Sequence, residues 1–231
     1  MTKRKLILGD FDTSLDGWTL SALKITKASQ VQTFVSVPGR YAPLDFSTYL
    51  TDGEPYYTSA TLEATLENSA PLAGTGLDNR GARTDRITAM LTRLDGNRMN
   101  IIHPDFPNRY LIGRVQIRTE YNTPAHAAVK VSAVCDPWLY YATETTRTVS
   151  AQTTAQQTTL TNSGKMAVTP TVVVTAQSGQ SVTITYGSNS TSLSAGTYTL
   201  PWLVLKQGSH AITYKGTGTI KFSYREAVLA G

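Results

Sequence analysis

Strict alternation of apolar and polar residues over residues 60–67, ATLEATLE, is the feature that most constrains the fold. Ala60, Leu62, Ala64 and Leu66 would face one side of an extended chain, with threonine and glutamate on the other. A helix, with 3.6 residues per turn, would scatter these apolar residues around its axis. The segment therefore predicts a half-buried antiparallel strand.

A second alternating run places Val129, Val131, Ala133 and Cys135 on one face of a strand and predicts that Cys135 lies in the core. Shorter runs rich in strand-forming residues are separated by turn sequences such as Pro38-Gly39 and Asp95-Gly96. These runs cover residues 5–8, 32–37, 99–102 and 110–117.

One segment, RTDRITAMLTRLDG, has the spacing of an amphipathic helix. Ile87, Met90, Leu91 and Leu94 follow one another at i, i+3, i+4 and i+7. Thr84 or Asp85 is the expected N-terminal cap, and Gly96 is expected to end the helix in the left-handed conformation. We expect this single helix to cover one face or edge of a sheet.

The composition changes after Asp136-Pro137, and residues 142–163 are mostly threonine, glutamine, serine and alanine. A flexible linker is one interpretation, but the threonine content favours the first strands of a second domain. Five further strand patterns with glycine turns follow from residue 168 onward and indicate an antiparallel β-sandwich. The predicted fold class is therefore mainly β, with domains at residues 1–137 and 138–231.

Charge and cysteine content limit the functions open to the chain. Only 16% of the 231 residues are charged, and the net charge of +5 is spread along the sequence, which argues against a dedicated nucleic-acid-binding protein. No apolar run approaches the roughly 18 residues of a membrane helix, and the opening MTKRKLILGDFD does not resemble a signal peptide. A single cysteine excludes an internal disulfide.

The sequence predicts no catalytic, cofactor-binding or metal-binding residues. His103, His126 and His210 are widely separated and match no metal-ligand spacing. Asp10, Asp12 and Asp16 resemble a calcium loop, but Ser21 stands where an EF-hand has its bidentate glutamate, so turn and capping roles are favoured. Glu63 and Glu67 are a carboxylate pair on the expected solvent face of a strand, and no nucleophile elbow or phosphate loop is present. We predict that the chain is not an enzyme.

Aromatic residues of the second half are the remaining candidates for binding, because they could stack on a sugar ring or on a partner protein. Core packing is the favoured interpretation, and a carbohydrate-binding adhesion protein is kept as the alternative function. The residues concerned are Tyr186, Tyr198, Trp202, Tyr214 and Tyr224.

Several segments, taken in order, resemble the distal tail protein family (Dit) of long non-contractile-tailed bacteriophages. The similar segments are DGWTLSAL, VPGRYAPLDFSTYL, PYYTSATLEATLE, LTRLDGNRMNIIHPDFPNRYLIGRVQI and VCDPWLYY. Within them, the matching residues are Leu94, Gly96, Ile101, Asp105, Pro107, Tyr110, Gly113, Arg114, Val115, Cys135, Asp136 and Pro137. The order of these segments across about 130 residues carries the resemblance more than any one of them.

The resemblance implies an N-terminal β-rich domain that assembles as a six-membered ring, and a galectin-like β-sandwich outside it. It further implies a structural hub at the virion tail tip, assembled in the host cytoplasm and without a catalytic step. Expected partners are the tail tube protein, the tape-measure protein, a tail-associated lysin or tip hub protein, and receptor-binding proteins. Tyr110 and Arg114 lie in the matched segment and are singled out as interface candidates; ordinary strand packing is the competing role for both.

Overall fold

The structure is a computed structural model that describes residues 4–15, 17–49, 51, 53–68, 79–123 and 126–230. The chain forms two compact units, Met1–Leu139 with Leu229–Gly231, and Tyr140–Val228. The described residues contain one α-helix and eighteen strands, which confirms the mainly β fold class. Within this part of the chain, no helical structure is long and apolar enough to span a membrane.

The first unit is built from nine strands and the helix. They are β1 (Ile7–Leu8), β2 (Phe11–Asp12), β3 (Thr19–Thr26), β4 (Phe34–Val35), β5 (Leu44–Asp45), β6 (Ala60–Asn68), α1 (Asn79–Leu94), β7 (Arg98–Ile102), β8 (Arg109–Asn122) and β9 (Ala127–Tyr141). The main sheet has the order β2-β1-β7-β8-β9-β6-β3, and β4 and β5 form a separate two-stranded sheet.

The pairing of β6 with β9 forms the centre of the first unit's core. Leu62 lies opposite Ala133, and Leu66 lies opposite Val129, in an uninterrupted antiparallel register. The alternating apolar side chains of both strands are buried, as the sequence predicts, and Cys135 is 2% exposed. Burial raises the pKa of the Cys135 thiol to about 11, so this thiol is unreactive near neutral pH.

The predicted helix is confirmed, but its predicted start is wrong. The helix begins at Asn79, five residues before Thr84, whose hydroxyl donates to the carbonyl of Arg80 inside the helix. The buried face continues back to Arg83, which is 1% exposed and donates to the carbonyl of Thr123. Gly96 has the expected left-handed conformation, with φ of +74°. α1 packs against β8.

The second unit is a β-sandwich of two four-stranded antiparallel sheets, ordered β10-β17-β12-β15 and β11-β16-β13-β14. Valine, isoleucine, leucine and aromatic residues of both sheets share one core. The eight strands of the sandwich are β10 (Thr145–Ala151), β11 (Gln156–Asn162), β12 (Thr171–Thr175), β13 (Val182–Tyr186), β14 (Asn189–Leu193), β15 (Gly196–Thr199), β16 (Gly208–Gly216) and β17 (Gly218–Tyr224). The last strand, β18 (Ala227–Leu229), pairs with β9 and is the eighth strand of the main sheet.

The threonine-rich segment at residues 142–163 forms strands rather than a linker, because β10 and β11 occupy most of it. β11 ends at Asn162, which is fully buried. Its amide donates to the carbonyls of Met166 and Leu205, at 2.8 and 2.9 Å, and accepts from the backbone N–H of Gly164 at 2.9 Å. These hydrogen bonds satisfy the buried amide group, whereas burial of an amide without partners would cost free energy of folding.

The outer faces of the sandwich are lined with hydroxyl groups. In one sheet, Thr146, Ser223, Thr171 and Thr199 are directly opposite one another on four adjacent strands. In the other sheet, Thr185 pairs with Ser190 across β13 and β14, with 2.9 Å between their hydroxyl oxygens. These residues alternate with core residues along the strands, and the exposed Lys215 and Lys221 lie on the same outer faces.

Gly113 on β8 is required because the neighbouring strand passes very close. A Cβ atom at this position would lie 2.6 Å from the Cys135 sulfur and 3.0 Å from the carbonyl oxygen of Val134. Gly81, near the start of α1, has no described atom beyond its chain neighbours and its own helix backbone within 4 Å of the corresponding position. The two glycines therefore respond in opposite ways to an added methyl group.

We expect Gly113→Ala to lower the free energy of unfolding by about 1–3 kcal/mol, because the methyl group overpacks the contact with Cys135. Gly81→Ala should raise it by up to about 1 kcal/mol, since alanine favours the helix. Urea unfolding followed by tryptophan fluorescence measures both. Cys135→Ala should recover part of the loss in the Gly113→Ala background. A Gly113→Ala chain as stable as the natural one would contradict the close packing of β8 on β9.

Candidate assembly surface

The acidic and histidine residues considered as metal ligands have structural roles. Asp10 pairs with Arg93, and Asp12 pairs with Lys5, each at 2.6 Å. Asp12 also accepts from the backbone N–H of Ser14, which confirms its predicted turn role. Asp16 lies outside the described residues. Within the described chain, no group of three or more histidine, cysteine, aspartate or glutamate side chains is arranged to hold a metal ion.

The aromatic residues of the sandwich pack on its core rather than standing free. Tyr214 and Tyr224 are buried, and Tyr186, Tyr198 and Trp202 are half-buried against the same core. The Tyr224 hydroxyl donates to the carbonyl of Thr161 at 2.7 Å, and the Tyr186 hydroxyl lies 2.8 Å from the His210 ring nitrogen. This geometry supports core packing, which the sequence favours over a sugar-stacking platform.

A hairpin whose described apolar side chains are largely exposed extends between β3 and β6. We call residues 31–56 the arm, and its described part omits residues 50 and 52. The arm is closed at its base by the pairing of Gln30 with Tyr57, and β4 pairs with β5 further out. At its tip, Gly39 makes the turn with φ of +83°. Side chain to backbone hydrogen bonds hold it together, including Asp45 with the N–H of Ser47 at 2.8 Å.

Apolar side chains are exposed on the arm to an unusual degree. Tyr41 is fully exposed and Tyr49 is 75% exposed. Of the eleven large apolar side chains that are exposed in the described part of the chain, seven lie on the arm, namely Phe34, Val35, Val37, Tyr41, Phe46, Tyr49 and Tyr56. Residues 32–37 were predicted to form an ordinary strand, and the exposed surface around them was not predicted. Its signal is a cluster of aromatic residues around Pro-Gly without regular alternation.

The exposed area of the arm is large enough for a stable protein interface. A large aromatic side chain presents about 150–250 Å², so the seven arm residues together expose on the order of 800 Å². The largest apolar patch of a typical monomer is about 300–600 Å². A standard interface buries about 800 Å² on each partner. Neighbouring residues of a strand point to opposite faces, so this area is divided between the two faces of the arm.

The two edge strands of the main sheet, β2 and β3, differ in how much strand they offer for pairing with another chain. At one end, β2 has only two residues, and the Arg93 guanidinium lies over the Phe11 ring at 5.7 Å. At the other end, β3 has eight residues and, among the described strands, pairs with β6 alone. Leu20, Leu23 and Ile25 of β3 point toward the core side but are only half-buried. An edge strand of this length is a site at which another chain can add.

The face of the main sheet opposite the core carries charges of both signs. Glu63 on β6, Arg118 on β8, and Lys130 and Ser132 on β9 line an open cleft of about 440 Å³, together with Asp95. Lys130 lies opposite Thr65, so Glu63 and Glu67 are its diagonal neighbours. Alternating signs at such spacing give no continuous basic surface.

His103 lies beside a small groove at the end of β7. It is 7% exposed, and its Nδ1 accepts from the backbone N–H of Asp105 at 3.1 Å. Arg4 forms two hydrogen bonds with the Asp105 carboxylate, at 2.7 and 2.8 Å. Burial is the main cause that lowers the pKa of His103, while the Asp105 carboxylate 3.8 Å away acts in the opposite direction.

Both interface candidates from the matched segment lie on β8. Arg114 donates to the carbonyl of Gly96 in the turn that follows α1. Tyr110 is half-buried near the start of the strand. Arg114 thus ties the end of the helix to the sheet, a role in packing that needs no partner chain.

Comparison with known proteins gives a structural match without a sequence match. No protein-family profile and no curated protein sequence matches the chain. Among solved structures, the chain is similar to the Dit protein (gp 19.1) of phage SPP1, with a TM-score of 0.64 and 16% identity over 96% of this chain and 98% of that chain. That structure is described as a paradigm of hub adsorption apparatus in phages that infect Gram-positive bacteria. The resemblance to distal tail proteins is thereby confirmed at the level of the fold.

A pH dependence follows from the burial of His103. In the unfolded chain its pKa is close to 6.5, whereas the folded pKa is lower. As the pH falls below about 6.5, His103 is protonated to a greater extent in the unfolded chain than in the folded chain. The free energy of unfolding therefore decreases over this pH range. Unfolding midpoints in urea at about pH 7.5 and about pH 5.5 should therefore differ more in the natural chain than in His103→Asn. Equal differences in the two chains would contradict this prediction.

Proposed function

We propose that this chain is a structural subunit of a phage tail, and that it forms a hub ring between the tail tube and the tail tip. The observation that carries this proposal is the match in fold to the SPP1 Dit protein over nearly the full length of both chains. The order of sequence segments along residues 16–141 supports it independently. The hub acts by its geometry and has no catalytic step.

The ring is proposed to contain six copies, assembled through the N-terminal domain at residues 1–137. A closed ring requires heterologous contacts, in which one surface of each copy meets a different surface of the next. The arm and the β3 edge are two different exposed surfaces of this domain, and each has features of a contact region.

The sandwich domain at residues 138–231 is proposed to lie on the outside of the ring. Proposed partners are the tail tube and tape-measure proteins, a tail-associated lysin or tip hub protein, and receptor-binding proteins. The location that follows is the virion tail tip, after assembly in the host cytoplasm.

A hub ring must let DNA pass without retaining it. Binding to DNA depends mainly on the number of phosphates that lysine and arginine neutralise. The polar face of the main sheet interleaves Glu63 and Glu67 with Lys130 and Arg118, so it suits the wall of such a passage. The small net charge of +5 is compatible with this role.

The native mass tests the ring directly. Light scattering behind a sizing column, over a range of protein concentrations, should give about six times 25.0 kDa, roughly 150 kDa. A mass of 25.0 kDa at every concentration would contradict a ring that forms from this chain alone.

The arm should be needed for assembly and dispensable for folding of the single chain. Replacing Tyr41 and Tyr49 with serine removes two exposed aromatic anchors, each of which can contribute about 2 kcal/mol at an interface. We expect the concentration for half-assembly to rise at least tenfold, since about 1.4 kcal/mol corresponds to a factor of ten. Tyr121→Ser, at an exposed tyrosine of β8, is the matched control and should leave assembly unchanged. Equal effects of the two variants would argue against the arm.

A further inference from the structure

A small pocket of the first unit lies between the helix α1 and the chain that leads into β3. Its volume is about 130 Å³, and its lining residues are Phe11, Trp18, Arg86, Ala89 and Arg93. The volume is several times the roughly 30 Å³ that one water molecule occupies in the liquid. The pocket can therefore hold a small ion of a few heavy atoms, but it is too small for a nucleotide.

The helix contributes two guanidinium groups to this pocket. Arg86, Ala89 and Arg93 stand at positions i, i+3 and i+7 of α1, so they share one face of the helix. The small Ala89 leaves the space between the two arginines open. Arg93 is held in place, because its guanidinium lies 5.7 Å from the centre of the Phe11 ring and its Nη2 donates to the Asp10 carboxylate at 2.6 Å.

The indole of Trp18 is buried with an unsatisfied N–H. Trp18 is 2% exposed, and its Nε1 has no hydrogen-bond partner in the described part of the chain. Burial of an unpaired donor costs free energy, and native proteins rarely contain one without a water molecule or an ion beside it. Since Trp18 lines the pocket, a molecule bound there is in position to accept from this indole.

A second buried group with unsatisfied atoms lies next to Trp18. The antiparallel register of β3 and β6, continued by one residue, places Trp18 opposite Asn68. Asn68 is fully buried, and neither atom of its amide has a hydrogen-bond partner among the described residues. A Cβ atom on Gly17 would lie 2.9 Å from Arg86 Nη1 and 3.6 Å from Asn68 Nδ2. Two buried groups with unpaired donors are therefore close to the same guanidinium.

The lining of the pocket indicates which class of ligand it takes. Its described polar side chains, those of Trp18, Arg86 and Arg93, are all donors, because indole and guanidinium groups cannot accept a hydrogen bond. A water molecule could accept from them but would find no side-chain acceptor for its own protons, whereas a buried water typically makes about three hydrogen bonds. An anion only accepts, and hydrogen bonds from guanidinium to an oxyanion are among the strongest in proteins.

We propose that this pocket binds a small oxyanion, a phosphate or a carboxylate group, through the Trp18 indole N–H and the guanidinium groups of Arg86 and Arg93. Phe11 and Ala89 form its apolar walls. The bound oxyanion links α1 to the chain before β3 and stabilises the folded first unit, because it binds the folded chain alone. This inference concerns a single chain and is independent of the proposed ring.

Trp18 itself can report the binding. The chain has three tryptophans, so Trp138→Phe together with Trp202→Phe leaves Trp18 as the remaining indole. Sodium phosphate, and separately sodium acetate, is titrated to about 0.1 M at an ionic strength held constant with sodium chloride. We expect a saturable change in Trp18 emission, and the anion that saturates at the lower concentration identifies the preferred group. A response that is absent or linear for both anions overturns the site.

A substitution of Trp18 separates specific binding from the general stabilisation that phosphate gives to many proteins. Trp18→Phe keeps an aromatic ring but removes the N–H donor. Added phosphate should raise the thermal midpoint of the natural chain more than that of Trp18→Phe. Trp202→Phe, in the second unit, is the matched control and should respond as the natural chain does. Equal responses of Trp18→Phe and Trp202→Phe would overturn the role of the Trp18 indole.

A pair of arginine variants tests the helix side of the pocket. Arg86→Gln should weaken phosphate binding at least tenfold, because it removes a charge-assisted hydrogen bond. Arg80→Gln removes the same charge from an exposed position of α1 that does not line the pocket, and it should leave the affinity nearly unchanged. Thermal midpoints measured against phosphate concentration give both affinities. Equal weakening by the two variants would show general attraction to a basic helix and would overturn the pocket.

Discussion

The register between β6 and β9 is the constraint on which the rest of the first unit depends. Side chains alternate with a period of two, so a slip by one residue would turn Leu62, Leu66, Val129 and Val131 from the core to the solvent face. The same register places Glu63, Glu67 and Lys130 together on the opposite face. It also brings Cys135 against Gly113 of β8, which leaves no room for a side chain there. The pairing of β6 with β9 thus determines the core face and the charged face, and it turns Cys135 toward Gly113 of β8.

The alternation of apolar and polar residues made β6 and β9 predictable from the sequence. β3 was not predicted, because its alternation is interrupted. Beyond the similarity of DGWTLSAL to the family, no pattern predicted β3, because the bulge at Ser21 puts Leu20 and Leu23 three residues apart and destroys the period of two. The helix start was placed too late because Arg83 occupies the core-facing position one turn before Ile87. In a sequence, a charged residue at that position is not recognised as part of the apolar face of a helix. The Thr-rich β10 and β11 were predicted because β-branched residues favour strands even when they are polar.

The arm was not predictable in the same way. A run such as Gln32 to Val37 has the composition of a buried strand, and burial cannot be deduced from composition alone. Only the structure shows that Phe34 and Val35 belong to a separate two-stranded sheet with both faces open. For the tyrosines and Trp202 of the sandwich, packing on the core was the favoured prediction, and these residues do pack on the core. In a sequence, an exposed apolar surface of this kind has the same composition as a core strand.

The hydroxyl rows on the sandwich have a consequence for how this unit stays in solution. Thr146, Ser223, Thr171 and Thr199 hold water without carrying a proton that can be lost or gained near neutral pH. Hydration of these hydroxyl rows is therefore almost independent of acidity, and the rows themselves carry no charge for added salt to screen. A domain solvated in this manner keeps the same outer surface in media of very different ionic composition. That constancy is a property of threonine and serine rather than of any ion pair.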